Sequence, residues 1–208
     1  MCVAVKFRLA PPHAILAPMN APLRIRLDPE TYLRWEAAQE RKHELVGGEV
    51  RAMAGASRAH NEIVVNLLIA LRQLLRGGPC RPYGSDMKVA IPNRNYRYPD
   101  VVVDCAKGAP GDLFAAEPAI VFEVLSPSTE LFDESDKLAD FQSVPAIRQI
   151  VLLSQQRLHA RSYVRDGEGW RELRHDGWGA HIPLAGLDCR LPLAGVYEGV
   201  EWGAPGAA

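Results

Sequence analysis

The sequence predicts an α/β domain, a sheet of interior strands flanked by helices. Two short runs rich in β-branched residues and bounded by proline, YPDVVVDC and PAIVFEVLS, read as buried strands. From about Ala59 to Arg76, Ile63, Val64, Leu67, Leu68, Leu71, Leu74 and Leu75 fall at helical spacing along one stripe. The composition, 48% apolar and 24% charged over 208 residues, supports one good core rather than two.

Residues 1–22 read as a disordered extension, with Met19 an alternative start, and residues 23–208 as a single domain. Asp28 is a good N-cap, Pro29 suits the first helical position, and the run TYLRWEAAQE carries this helix to near Arg41. HELVGGEVRAM is two alternating runs around Gly47–Gly48, a two-residue hairpin in which Leu45 faces Val50 and Glu44 faces Arg51. Ser57 caps the long helix, and Gly77, Gly78 and Pro79 stop it. A strand around Met87–Ile91, a polar PNRN turn and the two central strands follow. ELFDESDKLADFQSV reads as a helix, Ile147–Ser154 as another buried strand, and LHARSYVRD with GWRELRH as a hairpin around Gly167–Gly169. The tail is short apolar pieces separated by Pro and Gly, expected to cover an edge of the sheet. There is no internal repeat or low-complexity tract.

A net charge of −1 gives no global attraction to nucleic acid, but the charges are zoned. Arg41 to Arg97 holds ten Lys/Arg against four Asp/Glu, and Tyr98 to Asp140 two against ten. That pattern fits an acidic centre beside a basic rim, and equally fits solvated faces whose charges cluster. Cys2, Cys80, Cys105 and Cys189 form no C-x-x-C pair, which argues against a zinc ribbon or a disulfide framework and for reduced thiols in a cytoplasmic protein. No apolar run reaches membrane-span length.

The chemistry concentrates in the two central strands. An ionised carboxylate in a buried strand costs several kcal/mol unless a cation meets it. Asp100 and Glu123 are two such carboxylates, and strand alternation puts Asp100 on the face of Val102, and Glu123 on that of Val121 and Leu125. If the strands pair so that Asp100 lies beside Glu123, the two can share one cation. Hard oxygen ligands with no His or Cys cluster favour Mg²⁺ or Mn²⁺. No organic cofactor is implied. Lys137, four residues before Phe141, lies on or next to the helix stripe facing the sheet and could stabilise charge there. The plainer alternatives are a strand-end turn for Asp100 and a solvated helix lysine for Lys137. Arg58, Lys88, Arg94 and Arg97 sit in loops or at strand ends, where contact with phosphates would be independent of base sequence.

The succession HELVGGEV, His60 opening a long helix, NYRYPDVVVDC, VFEVLSPST and DKLADF resembles the Uma family of putative restriction endonucleases, within the PD-(D/E)xK nuclease superfamily. The likeness runs from about Asp28 to Leu193. It implies a restriction-endonuclease-like core, a central mixed β-sheet flanked by helices with an N-terminal helix and β-hairpin, and Mg²⁺-dependent cleavage of DNA phosphodiester bonds. Asp100 and Glu123 match the motif's metal ligands. The motif's lysine would fall two residues past Glu123, where this chain has Leu125, and the resemblance assigns that role to Lys137 on the following helix. Glu44 matches an upstream glutamate, a ligand through water or else a cross-strand partner of Arg51. His60 matches a position that could orient a phosphate or sit in a polar helix-start interface. Cleavage of both strands would call for a homodimer. The competing reading is a catalytically inactive nucleic-acid-binding or interaction module that kept the fold. A carboxylate-pair glycosidase fits poorly, because it needs no lysine and the central segment is poor in aromatics.

Overall fold

The computed structural model describes residues 25–53, 55–125 and 133–202, so the extension expected over residues 1–22 and the start at Met19 lie outside the described residues. Helix α1 spans Pro29–Glu36, and the Asp28 side chain accepts hydrogen bonds from the amides of Glu30 and Thr31. It ends five residues before Arg41. The Ala38 and Gln39 amides close tight turns onto Trp35 and Glu36, and the Gln39 side chain takes the Trp35 carbonyl. Strands β1 (His43–Val46) and β2 (Glu49–Ala52) pair as expected, Leu45 with Val50 and Glu44 with Arg51. Both turn glycines have positive φ, 57° at Gly47 and 80° at Gly48, which a side chain would resist.

Helix α2 (Arg58–Leu74) is capped by Ser57 and buries Ile63, Leu67 and Leu71. Then come β3 (Arg81–Gly84), β4 (Val89–Ala90), β5 (Tyr96–Arg97), β6 (Val101–Asp104) and β7 (Pro118–Leu125). Helix α3 (Asp133–Ser143) leads to β8 (Gln149–Ser154), the hairpin β9 (His159–Asp166) and β10 (Gly169–Asp176), then β11 (His181–Pro183), β12 (Arg190–Pro192) and α4 (Leu193–Val196).

The main sheet has the order β10-β9-β8-β7-β6-β3 and is mixed: β7 and β8 run parallel and the other neighbours antiparallel. A smaller sheet orders β2-β1-β5-β4. Alternation splits the core in two. Val101, Val103, Ile120 and Phe122 join Ile63, Leu67 and Leu71 on one face, while Val102, Val121, Ile150 and Leu152 join Val89, Phe141 and Val144 on the other. The second face is where α3 and the smaller sheet meet the main one.

Two expectations change. The tail does not cover a sheet edge: Ile182, Leu191, Leu193, Val196 and Tyr197 share the core of α2 on the first face. Each short strand buries its central residue, Ile182 or Leu191, against the face. The cysteines are not all reduced: Cys80 and Cys105 form a disulfide, and Cys189 stays free and half-buried. The antiparallel pairing of β3 with β6 ends at Arg81 opposite Asp104, so the next residues out, Cys80 and Cys105, face each other although they stand 25 apart in sequence. Sequence spacing did not reveal that register. Among the described residues no helix is long and apolar enough to cross a membrane.

Candidate active site

The pairing of β6 with β7 sets Val101 opposite Phe122 and Val102 opposite Val121. One step further, the same register sets Asp100 opposite Glu123, and period two turns both toward the α3 face. Because β6 begins at Val101, the Val124 amide has no strand partner on that side, and the Asp100 side chain takes it: Oδ2 accepts the Val124 N–H at 2.8 Å and meets His60 Nε2 at 3.1 Å. Among the described residues Oδ1 has no hydrogen-bond partner. Lys137, from α3, donates to both oxygens of Glu123 at 3.1 and 3.0 Å and stands 3.7 Å from Glu44 Oε1. The acid pair, the amine and the upstream glutamate, distant in sequence, therefore converge.

The electrostatics follow from that crowding. Burial opposes ionisation of Asp100, but the hydrogen bond and charge of His60, the Val124 amide and Lys137 outweigh it and hold the carboxyl below its usual range. Burial pushes the Glu123 carboxyl up to about 8 despite Lys137, with Asp100 and Glu44 adding repulsion. For Lys137, burial is overcome by Glu123, Glu44 and Asp100, which keep it charged. Asp100, held ionised, adds to the repulsion that raises the neighbouring Glu123 carboxyl, and a cation between them would favour ionisation of both.

Glu44 turns inward. Its Oε2 accepts from Arg97 Nη1 at 3.0 Å and its Oε1 from the Tyr98 amide at 3.0 Å. Arg97 Nε reaches Asp140 Oδ2 at 2.7 Å, and Asp140 also accepts from the side chains of Asn93 and Asn95. Two of the basic residues expected at a phosphate rim are thus interior. Arg97 is 2% exposed between two acids, and Lys88 is 4% exposed, paired with Glu36 at 2.8 Å and lying over the rings of Tyr98 and Phe114. A buried cation must be paired, and paired cations are not available to a phosphate. Arg58 and Arg94 are exposed, as expected. His60 spends Nε2 on Asp100, and its buried Nδ1 has no partner among the described residues.

These groups open into a cleft of about 1230 Å³ that Asp100, Glu123, Lys137 and His60 line. Its basic residues are Arg41, Lys42 and Arg51, at the β1–β2 hairpin, together with the buried Arg97. Sequence reasoning named Arg51 only as a cross-strand partner of Glu44 and did not single out Arg41, Lys42 or Asp140; the signal for Asp140 was its place three residues after Lys137 on one helix face. Among the described residues no group of three or more His, Cys, Asp or Glu side chains forms a ready metal centre. Two adjacent carboxylates nevertheless suit the hard-ligand preference of Mg²⁺, which retains waters and needs few protein ligands.

The fold has solved counterparts. A crystal structure described as a putative nuclease belonging to DUF820, from Anabaena variabilis ATCC 29413, superposes with a TM-score of 0.67 at 13% identity, covering 82% of this chain and 97% of that one. In sequence, the uncharacterized protein slr1290 of Synechocystis sp. is 33% identical over 180 residues, 85% of this chain and 94% of its own. A second Synechocystis protein, the uncharacterized sll1609, is 29% identical over 141 residues, 66% of this chain and 80% of its own. The family model for Uma2, described as putative restriction endonuclease, matches residues 29–194, a span holding the capping helix, the hairpin and every residue of the cleft named above. The chain belongs to the Uma2 family of putative restriction endonucleases.

Proposed function

We propose that this protein is a metal-dependent endonuclease that hydrolyses DNA phosphodiester bonds, with Asp100 and Glu123 holding one Mg²⁺ or Mn²⁺ and Lys137 assisting. The observation that carries the reading is the meeting of Asp100, Glu123 and Lys137 on one face of the sheet at the wall of a large cleft. When bound, the cation supplies Lewis acidity toward the water nucleophile and the phosphoryl oxygens. His60 and the Val124 amide fix the Asp100 carboxylate through Oδ2 at the wall of the cleft. Lys137 donates hydrogen bonds from a fixed position and meets negative charge as it grows on the phosphate. Arg41, exposed at the rim, draws the phosphate backbone to the cleft without reading bases. Cleaving both strands takes two such sites, so a pair of copies is the working assembly on duplex DNA.

The test is nicking of supercoiled plasmid. The wild type nicks in Mg²⁺ and not in EDTA, and Asp100→Ala lowers the rate at least about 100-fold, the upper end for losing one support of a metal site. Equal activity in the wild type and Asp100→Ala, or in Mg²⁺ and EDTA, ends this reading.

One observation favours the non-catalytic module instead: Leu125, half-buried in the core, stands where the motif's strand lysine would be. Calorimetric titration separates the two. Millimolar Mg²⁺ or Mn²⁺ binding, lost in Glu123→Gln, supports the enzyme, and DNA binding with no metal binding supports the module.

A further inference from the structure

A lysine on a strand is held by the ladder on both sides, whereas a lysine on a helix is only as well placed as the helix. Lys137 therefore needs something to fix α3 along and around its axis, and Asp140 is in position to do it. It sits one turn on, on the same side of α3, and is 7% exposed. Its carboxylate accepts from Arg97 Nε at 2.7 Å, Asn95 Nδ2 at 3.1 and 3.2 Å, and Asn93 Nδ2 at 3.1 Å. All three donors come from the β4–β5 turn or from β5 itself. The same guanidinium donates through Nη1 to Glu44 Oε2, which ties the helix to the upstream acid by one rigid group. Attachment alone does not require this, because Phe141 and Val144 already bury the helix in the core, and buried ion pairs add little net stability over apolar contacts. What a planar, multiply bonded clamp adds is a fixed distance. We propose that Asp140, held by Arg97, Asn93 and Asn95, is a positioning residue that sets Lys137 against Glu123; the proposal rests on the nuclease reading of that pair.

Two measurements test it, using Asp140→Asn against Val144→Ala. The second variant loosens the core at the end of α3 and touches none of the clamp or the cleft. In plasmid nicking at varied DNA concentration, Asp140→Asn lowers kcat roughly 100-fold with KM within about 3-fold, the scale of an ångström-level misplacement. Val144→Ala keeps kcat within about 3-fold even at an equal or larger loss of Tm. By ¹⁵N–¹H spectroscopy of the lysine ammonium groups, the hydrogen-bonded Lys137 signal persists in the wild type and Val144→Ala and is lost in Asp140→Asn. Should Asp140→Asn fail to fold, Asn93→Ala removes one exposed donor and gives smaller losses in the same directions. A wild type that never cleaves DNA defeats the nuclease reading, while the ammonium contrast still decides the clamp. The clamp is overturned if Asp140→Asn or Asn93→Ala keeps the wild-type signal and kcat, if Val144→Ala loses them equally, or if the wild type shows no such signal.

Discussion

Glu123 is the cleft acid whose carboxyl burial pushes up. Its carboxyl is pushed up to about 8 in the folded protein, so the fold holds a proton there more tightly than the unfolded chain does. The stabilisation this gives is fully present below the unfolded carboxyl range and is lost as pH rises through about 8. Glu123→Gln, which cannot ionise, is expected to flatten the fall in Tm between pH 5 and 9 and to melt no lower than the wild type at pH 9, while losing cleavage. Thermal melts across that range check both. His175 works with the opposite sign. Burial lowers its pKa, and its Nε2 meets the Ser162 hydroxyl at 2.9 Å, so it stabilises at neutral pH and withdraws that support as pH falls below the ordinary histidine range. His175→Gln should make the acid side of the same melt series shallower. At this scale the sequence was readable where one physical rule sufficed. Alternation and register together set Asp100 beside Glu123. They offered Arg51 as the cross-strand partner of Glu44 and did not reach Arg97, because that contact depends on β5 pairing with β1. Counting arginines as a rim failed for Lys88 and Arg97 for the same reason: a charge count does not know which cations meet an acid indoors.

At the scale of elements, α2 is the pillar under the acid-bearing strands. Leu67 is fully buried among Ile63, Leu71 and the residues of β6 and β7, so Leu67→Ala is expected to cost about 2–5 kcal/mol in urea unfolding. A cost under about 1 kcal/mol would mean the helix packs more loosely than described. Helix α2 and both hairpins were legible because each carries a periodic pattern longer than its noise. Strand β4 falls inside the strand expected around Met87–Ile91, but β5 is two residues long and β3 holds Pro82 and Gly84, so neither periodicity nor propensity announces these two. They exist because partners already in place offer them hydrogen bonds. The terminal pieces were recognised as short and apolar but assigned to an edge, since nothing local says that α2 leaves half a face uncovered.

Across the whole molecule, one covalent link reinforces the sheet. The Cys80–Cys105 bridge joins edge strand β3 to the end of β6 across 25 residues, a loop whose closure is worth about 3 kcal/mol in the chain-entropy treatment. Reduction, or Cys105→Ser, should lower the urea midpoint accordingly, and an unchanged midpoint would show that the link carries no load. Fold class and the mixed, helix-flanked sheet were readable from the strand and helix patterns together with the family likeness. The pairing of the cysteines was not, since it follows from a register that only the assembled sheet defines. The cleft gathers residues 44, 60, 97, 100, 123 and 137, contributed by both sheets and two helices, with Asp140 bonded behind it to Arg97. Contacts of such long sequence separation form late and slowly, after costly loop closure. A nascent or half-refolded chain therefore carries its acids without their amine, and under the proposed function the site becomes competent only when tertiary structure is complete.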